Sequence, residues 1–262
     1  MPNNCVFLVD TYDTLQGVRH AAAIGRQLKA DGHRMVGIRL DSGDLAYLSI
    51  EARKILDAAG LHDAVIVASN DLDERLITSL KEQGATIATW GVGTKLVTAY
   101  DQPALGGVYK LGAIQGDDGT WHHKLKLSEQ TAKVSTPGVQ QVRRYFRSDG
   151  SAAGDAIVDE LGPPLHGELT IVDPADDGRR KTFPADARYD DLLVPIFRGG
   201  RRTYDVPPLA ASRQRTADQL ALFHPTTKRL INPHPYPVGL ERSLHDTKLR
   251  LIATARAGLG RK

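Results

Sequence analysis

Two hundred and sixty-two residues make one large domain, or one domain with a smaller companion, since domains run to roughly 150 residues. Apolar residues at 41% and charged residues at 25% are globular averages, which excludes a disordered, collagenous or disulfide-stapled chain. Net charge is +3, with 11 Lys and Arg against 13 Asp and Glu over residues 1–112 and 23 against 18 over residues 113–262; this excess is too dilute for a nucleic-acid footprint, and aromatics at 6% offer little base stacking.

The first apolar run, residues 5–9, opens on the single cysteine, Cys5, which reads there as a small buried hydrophobe suited to a reducing cytoplasm. Met1-Pro2-Asn3-Asn4 lacks a basic leader region, and no apolar run approaches the roughly 18 residues of a membrane span. Strand-like runs at 6–9, 35–40, 64–68 and 86–89 alternate with helical patterns at 16–30, 45–59 and 72–83. The strands are short, continuously apolar and rich in Val or Ile, as expected where both faces of a parallel sheet are covered. Gly32, Gly60 and Gly84 stand where the helices should end in a left-handed cap. The series predicts an α/β unit over residues 1–112.

After Gly106 the texture changes to strands and turns. Runs at 108–114 and 120–126 flank the turn Gly116-Asp117-Asp118-Gly119, and 142–147 precedes Ser148-Asp149-Gly150. Residues 173–208, rich in Pro, Asp, Gly and Arg, are expected to cross the surface without regular structure, and 209–223 and 238–257 to form closing helices. An antiparallel β-containing region over residues 113–262, closed by helices, is the expectation.

Polar clusters follow the strands of the first part directly: Asp10, Thr11 and Asp13; Arg39, Asp41, Ser42, Gly43 and Asp44; Ser69, Asn70 and Asp71; and Gly91, Gly93, Thr94 and Lys95. All fall at the carboxyl ends of parallel strands, the rim where α/β folds bind ligands. Asp44 and Asp71 also suit helix capping, Asp71 with Glu74 three residues on, so capping and ligand binding both stay open for them. Asp41 exceeds what one cap requires. Gly91-Val92-Gly93-Thr94 lets the backbone approach a phosphate, with Thr94 or Lys95 adding a donor, but its spacing is neither that of a P-loop nor the dinucleotide fingerprint. A glycine-rich phosphate end beside an acidic end suggests a phosphorylated sugar, with Mg²⁺ near Asp10 and Asp41. Adjacent His122 and His123 point to opposite faces of a strand and read as exposed, and no His or Cys spacing supports zinc.

These residues resemble nicotinate phosphoribosyltransferase. The resemblance is carried by Val9-Asp-Thr-Tyr-Asp-Thr14, Gly37-Ile-Arg-Leu-Asp-Ser-Gly-Asp44, Ser69-Asn-Asp71, Trp90-Gly-Val-Gly-Thr94 and Gly107-Val-Tyr-Lys-Leu111, then Lys133-Val-Ser-Thr-Pro-Gly138 with Arg143, and Asn232-Pro-His-Pro-Tyr236. It implies a partial atypical (β/α) barrel of the type II phosphoribosyltransferases followed by the β-rich region, in a homodimer. The implied reaction joins nicotinate to phosphoribosyl pyrophosphate, giving nicotinate mononucleotide and pyrophosphate, with ATP as co-substrate hydrolysed through a phosphorylated histidine. Carried over residue by residue, Asp10 lies near the Mg²⁺-pyrophosphate, and Arg39 and Asp41 near ribose and pyrophosphate. Ser69 and Asn70 lie near the sugar-phosphate, and Gly91, Gly93 and Thr94 at the 5′-phosphate; Ser42, Gly43, Asp44 and Asp71 are further substrate-binding candidates, Asp44 and Asp71 with a supporting role. Lys133 and Ser135 are candidate phosphate contacts on a basic loop. Members of the family carry about a further half-chain before the Val9–Asp13 motif, with the phosphorylated histidine and nicotinate-binding segment, so the chain is expected to be the C-terminal portion and inactive, or nearly so, alone. Two alternatives remain: a non-catalytic remnant or phosphoribosyl-pyrophosphate-binding half that needs a separate N-terminal polypeptide, and another phosphosugar barrel enzyme, which would need a Lys or Glu where Asp, Ser and Asn stand.

Overall fold

Four short apolar strands, β1 (Val6–Leu8), β2 (Gly37–Leu40), β3 (Val65–Ala68) and β4 (Thr89–Trp90), pair in parallel and in unbroken sequence order. The computed structural model describes residues 2–104, 106–128 and 133–259. The chain divides into two compact units, Met1–Gly107 and Val108–Lys262. No helix among the described residues is long and apolar enough to cross a membrane.

In the first unit the crossovers are the helices α1 (Thr14–Ala30), α2 (Leu45–Ala58) and α3 (Glu74–Glu82), with the short α4 (Thr94–Val97) after β4. Because parallel crossovers are right-handed, unbroken strand order puts all the helices on one face of the sheet. The core agrees: Val18, Ala21 and Ala22 of α1, Leu45, Ala52 and Leu56 of α2, and Leu80 of α3 cluster with Ile38, Leu40, Ile66 and Ala68. The intervening residues turn the other way, and there Val6 and Leu8 are exposed while Val65 and Val67 are half-buried. The strands are therefore sealed on one face only, unlike the two-sided burial expected from their composition. The helix ends follow expectation, since Gly32, Gly60 and Gly84 all have positive φ, between 75° and 80°.

The second unit begins with the hairpin β5 (Ala113–Gln115) and β6 (Trp121–His123), whose turn closes through Gly116 N to Thr120 O at 2.8 Å. The expected strand at 108–114 shrinks to its last residues. Next come β7 (Gln140–Phe146), β8 (Ala152–Asp159), β9 (Leu169–Asp173), β10 (Asp176–Phe183), β11 (Tyr189–Asp191), β12 (Phe197–Arg198), β13 (Arg201–Arg202), α5 (Leu209–Ala221), β14 (Val238–Glu241) and α6 (Arg242–Leu259). A six-stranded sheet runs β10-β9-β14-β8-β7-β11, with β14 parallel to β8 and antiparallel to β9.

Two expectations are corrected here. Residues 173–208 hold strands: β10 pairs with β9 and β11 with β7, and β12 and β13 form a hairpin over Gly199-Gly200, both at positive φ. Polar and largely exposed up to its last residue, β10 offers no apolar alternation to read; backbone pairing to β9 and the buried Phe183 at its end fix it at the sheet edge. Residues 238–257 are not one helix, since Val238–Glu241 is a strand inside the sheet. The chain switches at Glu241, whose carboxylate accepts from Ser243 N at 2.9 Å and Leu244 N at 3.2 Å and so closes the first turn of α6.

Phe183 is fully buried and stacks on Tyr145, with ring centroids 4.2 Å apart and planes 7° from parallel. Truncating it leaves a ring-sized void in a core of few large side chains. Phe183→Ala is expected to lower stability by about 3–5 kcal/mol, read as a lower urea midpoint; a loss below about 1 kcal/mol would show that Tyr145 refills the space.

Candidate functional site

The polar residues predicted at the strand ends meet where β1, β2 and β3 finish. Asp10 follows β1, and its Oδ2 accepts from Asp41 N at 2.7 Å and from Ser42 Oγ at 2.8 Å. One carboxylate thus ties the loop after β2 to the end of β1. Arg39 lies on the sheet face turned away from the helices; its Nε donates to Ser69 Oγ at 2.8 Å and its Nη2 to Asp41 Oδ1 at 3.2 Å. The Ser69 hydroxyl donates in turn to Asp41 Oδ1, closing a triangle of Arg39, Ser69 and Asp41. Ser69 is buried, while Arg39 and Asp41 are roughly half accessible, so the triangle is anchored at its base and open at its charged tip.

The Ser69 hydroxyl foremost, and then the Arg39 guanidinium, hold the Asp41 carboxyl below its usual range. Asp41 is therefore a carboxylate at neutral pH, with Arg39 beside it. Asp10 Oδ1 and Asp41 Oδ2 accept no hydrogen bond from the described residues. No cluster of three or more His, Cys, Asp or Glu that could hold a metal exists among the described residues. Two carboxylate oxygens on adjacent loops do fit Mg²⁺, which takes one or two carboxylates and completes its shell with substrate phosphate and water.

The neighbouring candidates sort by what holds them. Asp44 caps α2, its Oδ1 accepting from Tyr47 N at 3.0 Å, and Gly43 turns the loop at φ +78°. Asp71 does not cap α3; Asp73 does, accepting from Leu76 N at 2.7 Å. Asn70 and Asp71 take φ of +93° and +43° respectively, backbone that costs a non-glycine residue about 1–3 kcal/mol, of the kind stored at binding loops. Gly91 N donates to Ala68 O at 2.7 Å, and a Cβ on Gly91 would come 3.3 Å from Ser69 Cβ, so glycine lets the loop after β4 lie against the base of the triangle. Gly93 and Thr94 open α4. Lys95 is not a free donor at the rim, since its Nζ pairs with Asp73 Oδ2 at 2.7 Å.

Lys133 and Ser135 belong to the second unit. Ser135 Oγ accepts from Lys126 N at 2.7 Å, and the Lys133 carbonyl accepts from Lys110 Nζ at 2.6 Å, so both brace their loop. His122 is exposed as expected, but His123 is half-buried with its Nε2 2.5 Å from Asp159 Oδ2. Spacing alone gave no sign of that pair, nor of Ser69 as the bridge between Arg39 and Asp41, because both join residues about 30 or more positions apart.

The family model for the nicotinate phosphoribosyltransferase C-terminal domain matches residues 139–248. Nicotinate phosphoribosyltransferase of Bacillus subtilis strain 168 is 44% identical over 253 residues, covering 95% of this chain and 51% of that protein. Nicotinate phosphoribosyltransferase 1 of Arabidopsis thaliana is 36% identical over 256 residues, covering 94% and 45%. The crystal structure of human nicotinic acid phosphoribosyltransferase superposes with a TM-score of 0.74 at 30% identity, over 95% of this chain and 47% of that one. The chain spans about half the length of the relatives it matches.

Removing the bridging hydroxyl tests the triangle. Because folding holds Asp41 below its ordinary range, its contribution to stability is complete above that range and is lost as pH falls through the folded pKa. In Ser69→Ala the Asp41 carboxyl is expected to titrate at higher pH, back toward the ordinary carboxylate range, and the loss of stability in acid, which still begins in that range, to be smaller and to end at higher pH. Carboxyl-detected NMR titration reads the shift; an unmoved Asp41 would leave Arg39 as the sole cause.

Proposed function

The chain belongs to the nicotinate phosphoribosyltransferase family, and on that footing we propose that its parallel-sheet rim grips the phosphoribosyl group in the joining of nicotinate to phosphoribosyl pyrophosphate. The products are nicotinate mononucleotide and pyrophosphate, with ATP as co-substrate, and the working enzyme is a cytoplasmic homodimer. The observation that carries this reading is the Arg39–Ser69–Asp41 triangle, tied to Asp10 at the carboxyl ends of three adjacent parallel strands.

The chemistry follows from charge. As the bond from ribose C1 to pyrophosphate lengthens, positive charge grows on the sugar and negative charge on the leaving group. Asp41, fixed as a carboxylate, offsets the first, and the Arg39 guanidinium offsets the second with paired N–H donors. Asp10 holds the loop that carries Asp41, so the acid is in place before substrate arrives and spends no free energy on reorganisation. The backbone at Gly91 and Gly93 and the hydroxyl of Thr94 receive the 5′-phosphate. Asp10 and Asp41 are the residues that would hold Mg²⁺, whose charge would offset that of the pyrophosphate.

In this reading the sheet is part of an atypical barrel, and its outward face is barrel interior. The exposed Val6 and Leu8 on that face support this, since an open apolar sheet face is costly in water. The chain then acts as a C-terminal portion that binds phosphoribosyl pyrophosphate and turns over only with a complementary N-terminal portion.

Two assays test this. Alone, the chain is expected to bind phosphoribosyl pyrophosphate with Mg²⁺ in calorimetry and to form no nicotinate mononucleotide; product at an ordinary enzymatic rate would overturn the dependence on a second portion. Joined to the N-terminal portion of a relative, the chain is expected to be active, and Asp41→Ala to cut turnover by about 10²–10³-fold with little change in melting temperature. Parallel losses of rate and melting temperature would make Asp41 a structural tie.

A further inference from the structure

In the second unit neither Arg147 nor Lys181 makes an ion pair with a carboxylate among the described residues, although the charge of Arg147 acts on Asp149. Arg147 Nη1 donates to Ala152 O at 2.7 Å and to Ser151 Oγ at 3.0 Å, and Lys181 Nζ donates to Ala153 O at 2.7 Å. Two neighbouring carbonyls of β8 thus hold two positive charges, near enough that the charge of Arg147 acts on Lys181. Burial first, and then the charge of Arg147, push the Lys181 ammonium below its usual pKa, so the arrangement costs free energy in the empty protein. Like charges held together by the fold call for a counter-anion.

Both side chains line a cavity of about 520 Å³ with Arg229, His224, Thr226 and His234. One carboxylate, Asp149, lies in the same lining, and its Oδ1 is taken by Ser151 N at 2.8 Å and Ser151 Oγ at 2.6 Å. Three cations therefore share the lining with one carboxylate, whose charge offsets part of theirs and leaves a positive surplus. Lys181 and residues 234–237 also line an adjoining cavity of about 670 Å³, which Arg179, Arg180 and Asp173 border. There Arg179 pairs with Asp176 at 3.3 Å and Asp173 Oδ1 accepts from Ala175 N at 2.9 Å, and neither acid pairs with Lys181, whose Nζ goes to Ala153 O. The shared wall is stiff: Pro235 and Pro237 flank Tyr236, whose hydroxyl donates to Asp155 Oδ1 at 2.8 Å.

We propose that this cavity is a second anion site, outside the phosphoribosyl rim, that takes a phosphate-bearing small molecule, with its phosphate between Arg147, Lys181 and Arg229 and the rest of the ligand along residues 234–237. The phosphate supplies the charge the fold leaves unbalanced, and Arg147 and Arg229 supply the planar donors that match its oxygens. The volume suits a mononucleotide-sized ligand, whereas a nucleic acid would need a longer basic track and stacking faces. Free phosphate or pyrophosphate and the phosphoryl end of a nucleotide share this chemistry.

The test is calorimetry on the full chain with inorganic phosphate, pyrophosphate and AMP in turn, comparing the parent with Lys181→Met, Arg229→Ala and the rim variant Thr94→Ala. At least one of the three ligands is expected to bind, to weaken tenfold or more in both Lys181→Met and Arg229→Ala, and to hold in Thr94→Ala; the order of the three affinities names the source. Arg229 is exposed and makes no hydrogen bond among the described residues, so Arg229→Ala should keep the parent melting temperature and decides the matter if Lys181→Met unfolds. No binding at millimolar ligand, binding lost only in Thr94→Ala, or tighter capture of a single-stranded oligonucleotide than of any small ligand would each overturn the proposal. The outcome is independent of nicotinate mononucleotide formation, so its failure and that of the rim reading are distinguishable.

Discussion

Parallel pairing in unbroken order is the constraint on which the first unit depends. A right-handed crossover between each strand and the next returns every helix to the same face, and every strand then ends on the same rim. Residues far apart in the chain, Asp10, Asp41 and Ser69, become neighbours for that reason alone. The same rule leaves the other face of the sheet without helices, where Arg39 stands among Val6, Leu8, Val65 and Val67. A guanidinium there reaches the rim from beneath, and Ser69 and Asp41 satisfy it.

The rim is stiffened by polar groups that hold one another. Asp10 bonds the backbone of the Asp41 loop, Ser69 bonds Asp41, and Asp44 and Asp73 close the helices that follow. Most hydrogen-bonding capacity near the site is thus spent on shape, while the charged tips of Arg39 and Asp41 stay accessible. The left-handed backbone at Asn70 and Asp71 is unfavourable for those residues and persists because β3 and α3 fix both ends of the loop. Such an arrangement suits electrostatic catalysis, in which charges are positioned before the reaction begins.

The second unit is organised around a different polar node. Asp155 accepts from Arg144 Nε at 2.9 Å and Nη2 at 2.8 Å and from the Tyr236 hydroxyl, and Arg144 Nη1 reaches Gln219 of α5 at 2.9 Å. Burial, with the Asp155 carboxylate, raises the Tyr236 phenol well above its usual pKa, so it remains a hydrogen-bond donor at physiological pH. This node fastens the segment before β14 to β8 and lets a late strand enter the centre of a sheet that begins far earlier in the chain, at β7. Residues 234–237 line both cavities together with Lys181, whose ammonium donates to Ala153 O of β8.

Local chemistry made part of this legible. Apolar runs located the four parallel strands, Gly32, Gly60 and Gly84 located the helix ends, and acids and hydroxyls just past the strands located the rim. Those are short-range properties, decided by periodicity, left-handed backbone and capping within a few residues. Strands β8 and β10 are hidden for physical reasons: β8 opens on Ala, Gly and Asp, which have little strand preference, and only Ile157 and Val158 near its end favour a strand, while β10 is a polar edge held by its partner. Asp71 has the spacing of a cap, yet the left-handed backbone at Asn70 and Asp71 moves the helix start to Asp73. The sequence by itself determined the βα alternation and which residues stand at the strand ends. Only the tertiary structure decided which of them touch, because the Arg39–Ser69–Asp41 triangle and the unbalanced pair of Arg147 and Lys181 depend on strand register and on chain segments far apart, which no local pattern encodes.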